Sequence, residues 1–423
     1  MCMKKIISMM LFCSMLLMTA CSGTAQEKTS QKVSETQAQT EVLTEIQTES
    51  ETAPAEVQKN LFDDYVSNTV ISTGNNYMTD AKGGVTFRTY FPVEESGELE
   101  YCFYFSNTVD STWERGRYSY AGKSGGAYQI LNAHVWTASS PDADDDSEPV
   151  EITFDGSPEK SVSPDETFRS DAVTLDVPEG KYLVWEWTLD GEDIPCIRMT
   201  ELAYSYILKE DGILEYNMDV PAPQLIGTNR NVRKKIACFG DSITQGAETT
   251  AYEQNFWVSE LSERLGSEYA VWNIGCGYAR ASDAVLCGNW LERAKNADIV
   301  TLAFGTNDLA VGQYGQRNAS SADEIENWLR MLIEELQKAD CQIILFNLPP
   351  FNFDESTETI RTEVNARIPV IAEETGCAFF DWAILLENPD NPAESLYGGH
   401  PDDEGCRIIA DALLEQFSEI FEK

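Results

Sequence analysis

A serine and a histidine are the two residues of this sequence whose chemistry combines most readily. Ser242 follows Gly240 and Asp241 directly after an apolar run, and glycine there lets the backbone turn sharply and expose the hydroxyl. The chain has 2 histidines, and the other one, His134, falls in a region predicted below to be a β-sandwich. A serine hydroxyl becomes an effective nucleophile when a neighbouring base takes its proton, and histidine suits that role near neutral pH. The pair therefore predicts nucleophilic catalysis, with Ser242 as the nucleophile and His400 as the general base.

A parallel α/β scaffold is the element pattern that would position these two residues. From residue 233 onwards, short apolar runs alternate with helical patterns such as 322–338, and this alternation is typical of strand–helix repeats. The predicted strands are 235–239, 269–274, 299–303, 342–347 and 377–380. Ligand sites in doubly wound sheets lie at the carboxyl ends of the strands. We therefore expect the chemistry in the residues that directly follow each strand.

Four short segments resemble the sequence blocks of the SGNH hydrolases, the GDSL-type esterases. They are Gly240-Asp241-Ser242, Asn273-Ile274-Gly275-Cys276-Gly277, Gly305-Thr306-Asn307-Asp308 and His400-Pro401. These segments stand in the family's order over about residues 233–423, and each of the first three lies at the end of a predicted strand. The resemblance implies a flavodoxin-like, doubly wound, five-stranded parallel sheet. It also implies a serine ester hydrolase that uses no cofactor and no metal.

The same resemblance implies three hydrogen-bond donors for the oxyanion that forms during acyl transfer. They are the backbone N–H of Ser242, a backbone N–H in the second block, and the side-chain amide of Asn307. The family often reads N-x-G-x-x-G in the second block, whereas this chain has Tyr278 at the last position and Gly277 one residue earlier. We assign the second donor to Gly277, although either N–H could serve.

The acid of the usual triad is missing from its expected position. The family places it three residues before the histidine, where this chain has Tyr397. A backbone carbonyl could orient His400 in a Ser-His dyad; Asp402, Asp403 or Glu394 could substitute for the acid; or the chain could be catalytically weakened. We favour the dyad, because loss of the orienting acid reduces the rate without abolishing the chemistry.

The first 57 residues predict export and attachment to a membrane. Residues 1–20 have the layout of a signal peptide, and 18–21 resembles a lipobox in which Cys21 is the lipidated residue. The apolar stretch is shorter than the roughly 20 residues of a spanning helix. Residues 21–57 are rich in Ser, Thr, Gln and Glu and predict a disordered tether. We expect an extracytoplasmic location, lipid-anchored to the bacterial cell membrane, with cleavage near Ala20 and release as the alternative.

Residues 58–222 predict an all-β sandwich that precedes the hydrolase domain at 233–423. Short alternating segments are broken by Gly, Pro, Asn and Asp, and a Pro-Ala-Pro sequence follows at 221–223. The segment 150–175 resembles the jelly-roll-like β domain of two-domain SGNH esterases, whose substrates are often acetylated sugars. Aromatic residues that could stack on sugars, or more ordinarily pack in a core, are Trp113, Tyr118, Tyr120, Tyr128 and Trp136.

Charge and cysteine content limit the partners and the compartment. The 30 basic and 71 acidic residues give a net charge of −41, which disfavours nucleic acid and anionic lipid as partners. Of the 11 cysteines, Cys2, Cys13 and Cys21 lie in the first 21 residues, which leaves eight. Most of these eight lie in apolar runs and predict buried thiols, whereas Cys102 and Cys196 could pair in a disulfide. Their spacing indicates no metal site.

These observations predict a secreted lipoprotein that hydrolyses a small acyl ester, such as an acetyl group on a carbohydrate. One alternative is a lipase or lysophospholipase, which would need a long apolar acyl channel. Another is a surface glycan-binding lipoprotein without catalysis, for which Tyr397 is the best support. The sequence leaves open the substrate, the acyl length, the oligomeric state and the group that orients His400.

Overall fold

A computed structural model describes residues 60–421 except 112, 115–117, 120, 142–146, 199–201 and 312–317. The predicted signal peptide at 1–20, the lipidation site Cys21 and the tether at 21–57 lie outside the described residues. The span Lys59–Lys423 forms one compact unit, so the predicted boundary between 58–222 and 233–423 stays a prediction. Within the described part of the chain, no helix has the length and apolar character needed to cross a membrane.

The first part of this unit consists of antiparallel strands preceded by one short helix, α1 (Leu61–Asp64). The strands before residue 229 are β1 (Val66–Ser67), β2 (Tyr77–Thr79), β3 (Val85–Pro92), β4 (Gly97–Ser106), β5 (Trp113–Glu114), β6 (Tyr118–Ser119), β7 (Tyr128–Ala138), β8 (Val150–Glu151), β9 (Lys160–Val162), β10 (Thr167–Arg169), β11 (Val173–Val177), β12 (Tyr182–Gly191), β13 (Ile194–Arg198), β14 (Tyr204–Leu208), β15 (Leu214–Tyr216), β16 (Asp219–Val220) and β17 (Leu225–Thr228).

Two larger antiparallel sheets pack against each other through aromatic side chains. One sheet has the order β1-β17-β4-β10, with β11 also on β4, and the other has the order β15-β14-β3-β12-β7-β8, with β9 also on β7. Phe103 and Phe105 of the first sheet contact Trp185 and Trp187 of the second, with ring centroids 4.7 Å apart for Phe103–Trp185 and 5.2 Å for Phe105–Trp187. Alternate residues of a strand face the same side of a sheet, so the aromatic residues at every second position of β4 and β12 meet in the core. This part of the chain is thus rich in antiparallel β structure, while the jelly-roll connectivity stays a prediction.

The structure answers two questions that the sequence left open in this region. Tyr128 and Trp136 are buried in β7, with 5% and 2% of their surface exposed, so they cannot form a sugar-stacking platform. The side chains of Trp113, Tyr118 and Tyr120 lie outside the described residues. The pairing of Cys102 with Cys196, which the sequence left possible, does not occur, because both thiols are free and buried in strands of different sheets.

The second part of the unit alternates strands and helices. Its strands are β18 (Lys234–Gly240), β19 (Tyr269–Asn273), β20 (Ile299–Ala303), β21 (Gln342–Phe346), β22 (Ala378–Phe380), β23 (Glu387–Asn388) and β24 (Asn391–Ser395). Its helices are α2 (Ser242–Gln245), α3 (Trp257–Leu265), α4 (Ala281–Leu286), α5 (Gly288–Ala294), α6 (Thr306–Ala310), α7 (Ala322–Gln337), α8 (Glu355–Thr375), α9 (Ala383–Leu386), α10 (Asp403–Gln416) and α11 (Ser418–Phe421).

A five-stranded parallel sheet forms the centre of this second part, as the sequence predicts. Its order is β19-β18-β20-β21-β22, the doubly wound arrangement in which the first strand lies between the second and the third. Every residue of β19 and β20 is buried, which is expected when helices cover both faces of a parallel sheet. The carboxyl ends of β19, β18 and β20 therefore lie side by side at one edge, where the predicted site residues follow them.

Candidate active site

Ser242 is the first residue of α2 and lies directly after the central strand β18. The Asp241 carboxylate caps this helix by accepting a hydrogen bond from the Ile243 N–H at 3.0 Å. Gly240 is required at the turn, since a Cβ there would lie 2.9 Å from the carbonyl oxygen of Ala303. The local sequence thus fixes the serine at the carboxyl edge of the sheet.

His400 is the histidine that reaches Ser242. Its Nε2 lies 2.8 Å from Ser242 Oγ, which is hydrogen-bond distance for a base and its nucleophile. The other histidine, His134, lies in β7 of the antiparallel part. The Phe351 ring packs edge-on against the His400 ring, with centroids 5.5 Å apart, and closes one side of the imidazole. The structure therefore brings the predicted nucleophile and base together.

The predicted oxyanion donors Gly277 and Asn307 follow the two strands that flank β18. The loop after β19 is held by Asn273, whose Oδ1 accepts from the Gly275 N–H at 3.0 Å and whose Nδ2 donates to Thr244 O at 3.1 Å. Asn307 lies in the first turn of α6, and its Nδ2 donates to the Ala279 carbonyl at 3.1 Å. The third block thus contacts the segment that follows the second block.

Three hydrogen bonds between the antiparallel part of the chain and the second part hold this site. Ser111 Oγ donates to Gly277 O at 2.8 Å, and Ser72 Oγ donates to Gly275 O, so two serines fix the loop after β19. Gln245, at the end of α2, donates from Nε2 to the Arg198 carbonyl at 3.1 Å. Sequence reasoning missed these supporting residues, because nothing in a local pattern pairs them with residues so distant in the chain.

The acids considered from the sequence are occupied elsewhere or exposed. Asp402 caps α10 by accepting from the Gly405 N–H at 3.0 Å. Asp403 accepts from the Thr250 N–H and hydroxyl at 2.8 and 2.6 Å. Glu394 lies exposed on β24. The Tyr397 side chain is half-buried and packs against the core.

Glu248 is the carboxylate that the structure places beside His400, and sequence reasoning missed it. Its Oε1 lies 3.5 Å from His400 Nδ1, the ring nitrogen that does not face Ser242. The interaction with His400 holds the pKa of the Glu248 carboxyl below its usual range, and outweighs the effect of partial burial. The only sequence signal was an acid shortly after the serine block, which by itself predicts no contact with a residue near the C-terminus.

Two buried carboxyl groups near the serine and oxyanion residues have raised pKa values. Burial raises the pKa of Asp241 to about 6, although the Ile243 N–H and His400 favour the charged form. Burial also raises the pKa of Asp308 to about 7, against the hydrogen bond from the Ala281 N–H. Both groups brace backbone, as expected of short polar side chains at turns. Among the described residues, no cluster of three or more His, Cys, Asp or Glu is arranged to hold a metal ion.

A comparison with protein families identifies the second part of the chain. Residues 238–408 match the GDSL-like lipase/acylhydrolase family, a span that runs from β18 through the His400 loop into α10. This match places the protein in the class of ester hydrolases. The second part of the chain is a GDSL-like, or SGNH, hydrolase domain, which confirms the resemblance seen in the four blocks.

Solved structures that are similar to this chain cover less than half of it. A lipolytic protein of the G-D-S-L family from Desulfitobacterium hafniense is 18% identical, covers 43% of this chain and 98% of its own, and has a TM-score of 0.36. An acetyl xylan esterase is 23% identical over 43% of this chain and 98% of its own, with a TM-score of 0.37. A catalytic mutant of an acetylxylan esterase from Geobacillus stearothermophilus is 21% identical over 44% and 94%, with a TM-score of 0.37. No curated protein matches the sequence.

Proposed function

We propose that this protein is a serine esterase that removes small acyl groups, chiefly acetyl, from carbohydrate. The observation that carries the proposal is the 2.8 Å contact between Ser242 Oγ and His400 Nε2 at the carboxyl edge of the sheet. A serine and a histidine at this separation can exchange a proton, and this exchange is the first requirement of acyl transfer.

The reaction proceeds through an acyl-enzyme. Ser242 Oγ attacks the ester carbon while His400 Nε2 takes the hydroxyl proton, and a tetrahedral oxyanion forms. Collapse of this intermediate breaks the bond to the alcohol oxygen, which leaves with the proton from Nε2. A water molecule then gives a proton to Nε2 and attacks the acyl carbon. A second collapse returns that proton to Ser242 and releases the carboxylic acid.

The oxyanion is stabilised by donors from the three adjoining strand ends. The backbone N–H groups of Ser242 and Gly277 and the Asn307 side-chain amide supply them in this proposal. In the structure Asn307 Nδ2 donates to Ala279 O at 3.1 Å, which keeps the amide beside the loop that carries Gly277. Each such donor contributes roughly 3 kcal/mol to transition-state stabilisation in acyl-transfer sites.

The charge of the chain favours a neutral substrate. The net charge of −41 disfavours anionic lipids and polyanions as substrates. It therefore supports an acetylated sugar over an anionic phospholipid.

The proposal is tested by measuring release of acetate and of p-nitrophenol from esters of increasing chain length. We expect activity that falls with acyl length and is lost in Ser242→Ala and His400→Ala. His134→Gln is the matched control, since it removes the other imidazole, and it should keep full activity. A preference for long acyl chains would favour a lipase. An inert wild-type protein that binds glycans would favour a non-catalytic glycan-binding protein.

We also propose that Cys21 is lipidated and holds the enzyme at the outer face of the bacterial cell membrane, with 21–57 as a flexible tether. The lipobox-like segment 18–21 supports this proposal. Metabolic labelling with a radioactive fatty acid should mark the wild-type protein and leave Cys21→Ala unlabelled. Equal labelling of both would contradict attachment at this cysteine.

A further inference from the structure

We propose that Glu248 is the positioning residue that orients His400, in place of the acid that this chain lacks at Tyr397. The proposal rests on the function proposed above and adds a third member to the Ser242–His400 pair. It also names the group that the sequence left open, a carboxylate six positions after the nucleophile and on the opposite side of the imidazole.

The two nitrogens of the imidazole have different partners in the structure. Nε2 faces Ser242 Oγ at 2.8 Å, and Nδ1 faces Glu248 Oε1 at 3.5 Å. To accept the serine proton, Nε2 must be unprotonated, so the neutral ring must carry its hydrogen on Nδ1. A carboxylate opposite Nδ1 favours this tautomer and stabilises the imidazolium that forms when Ser242 attacks.

The backbone at Glu248 is held in an uncommon conformation. Its φ is +70°, in the left-handed region that non-glycine residues seldom occupy. Gly246, two residues earlier, ends α2 with a φ of +106°. Such conformations persist when surrounding contacts enforce them and are frequent at functional sites. Here the turn brings the Glu248 side chain back toward the end of the sheet that carries Ser242.

The loop that carries Glu248 is fastened to the helix that follows His400. Asp403, in the first turn of α10, accepts hydrogen bonds from the Thr250 N–H at 2.8 Å and from Asn255 Nδ2 at 2.9 Å. These hydrogen bonds engage both carboxylate oxygens of Asp403. Asp403 holds the loop of Glu248 and the segment of His400 in one arrangement, which pre-organises the contact.

Exposure limits the size of the effect. The Glu248 side chain is 69% exposed, so water screens its interaction with His400 more than it screens a buried triad acid. Asp241 also acts electrostatically on His400 from the N-terminus of α2. We therefore expect Glu248→Gln to lower kcat by about 10-fold, far less than the roughly 10⁴-fold loss known for a buried triad aspartate.

The experiment compares Glu248→Gln and Glu248→Asp in the full-length protein with Glu253→Gln as the matched control. Glu253 lies exposed in the same loop, and its change removes the same charge. For Glu248→Gln we expect a lower kcat with KM little changed, and an acid limb of the pH profile that moves to lower pH. Glu248→Asp should recover part of kcat, and Glu253→Gln should match the wild type.

A second measurement is independent of turnover. Because the chain has 2 histidines, isotope labelling of histidine gives one set of ring signals for His400 and one for His134. We expect Glu248→Gln to change the His400 signals and their pH dependence and to leave those of His134 unchanged.

An unchanged kcat, pH profile and His400 signal in Glu248→Gln would overturn the assignment and leave a Ser-His dyad. If the wild type is inert on esters, the proposed function fails. The His400 signals still decide whether Glu248 acts on the imidazole, since an unchanged spectrum overturns that claim and a changed one supports it.

Discussion

Asp308 illustrates how a single residue connects the elements that carry the predicted oxyanion donors. Its Oδ2 accepts a hydrogen bond from the Ala281 N–H at 2.9 Å, while the neighbouring Asn307 donates to Ala279 O at 3.1 Å. Two consecutive residues of α6 thus hold the segment that follows the Gly277 loop. The carboxyl is fully buried and its Oδ1 has no hydrogen-bond partner, so ionisation of Asp308 is costly.

We predict that Asp308 makes the stability of the protein fall as pH rises from about 4 to 7. Burial raises its pKa in the folded state to about 7 from an ordinary value of 3.8, so the folded state binds the proton more tightly than the unfolded state. The stability that this tighter proton binding contributes is fully present below the pKa of the unfolded state. It is lost as pH rises through the pKa of the folded state. Asp308→Asn does not titrate, so its free energy of unfolding relative to wild type should rise between pH 4 and pH 8 by more than about 1 kcal/mol.

Urea unfolding at several pH values measures this difference. Asp298→Asn is a matched control, because Asp298 accepts from the Lys235 N–H at an exposed position. The control should lack the rise predicted for Asp308→Asn over that range. Parallel pH profiles for wild type and Asp308→Asn would show that Asp308 does not cause the predicted decline.

At the scale of elements, hydrogen bonds hold the segment 247–255 and the helix α10 together. Asp403 joins them through Thr250 and Asn255, and these hydrogen bonds lower the pKa of its carboxyl although partial burial opposes them. His400 lies three residues before the first residue of α10, and Glu248 lies in the segment 247–255. We therefore expect the hydrogen bonds of Asp403 to determine how closely the His400 and Glu248 side chains approach each other.

We predict that Asp403→Asn lowers kcat by a factor of about 3 to 10, because one carboxylate oxygen is replaced by an NH2 group that can no longer accept hydrogen bonds from the Thr250 hydroxyl and the Asn255 amide. Asp402→Asn is the control, since asparagine caps a helix as well as aspartate does. A double-mutant cycle with Glu248→Gln tests the route of the effect: in that background Asp403→Asn should cost little more. Additive losses would mean that Asp403 acts on catalysis independently of Glu248.

The elements of the hydrolase domain were largely predictable from sequence, and their supports were not. The strands predicted at 235–239 and 299–303 occur as β18 and β20, because apolar runs buried on both faces are distinctive. Ser242 and Asn307 follow such strands directly, so topology alone placed them at one edge. Glu248 was missed because its position depends on a left-handed turn and on a helix far along the chain.

At the scale of the whole molecule, the antiparallel part contacts the elements that carry the candidate site. Ser111 and Gly277 are 166 residues apart in sequence, yet the serine hydroxyl donates to the glycine carbonyl at 2.8 Å. Trp272, in β19, donates from its indole N–H to Gln224 O at 3.1 Å. The Arg293 guanidinium of α5 pairs with Asp110, the residue that precedes Ser111. We infer that the Gly277 loop requires both parts of the chain for its shape.

The buried ion pair between Asp110 and Arg293 joins the antiparallel part to α5. The two side chains are 0% and 1% exposed, so loss of one charge leaves the other buried without compensation. We expect Asp110→Asn to lower the free energy of unfolding by about 3 kcal/mol. Asp323→Asn should cost less than about 1 kcal/mol, because the Asp323 side chain that pairs with Arg367 is 85% exposed. Because contacts between the two parts are buried, urea should unfold residues 58–423 in one transition that moves as a whole in Asp110→Asn. Separate transitions would mean that the antiparallel part and the hydrolase domain are energetically independent, as would a loss of stability in Asp110→Asn equal to that in Asp323→Asn. In that case Ser111 would support the Gly277 loop only weakly.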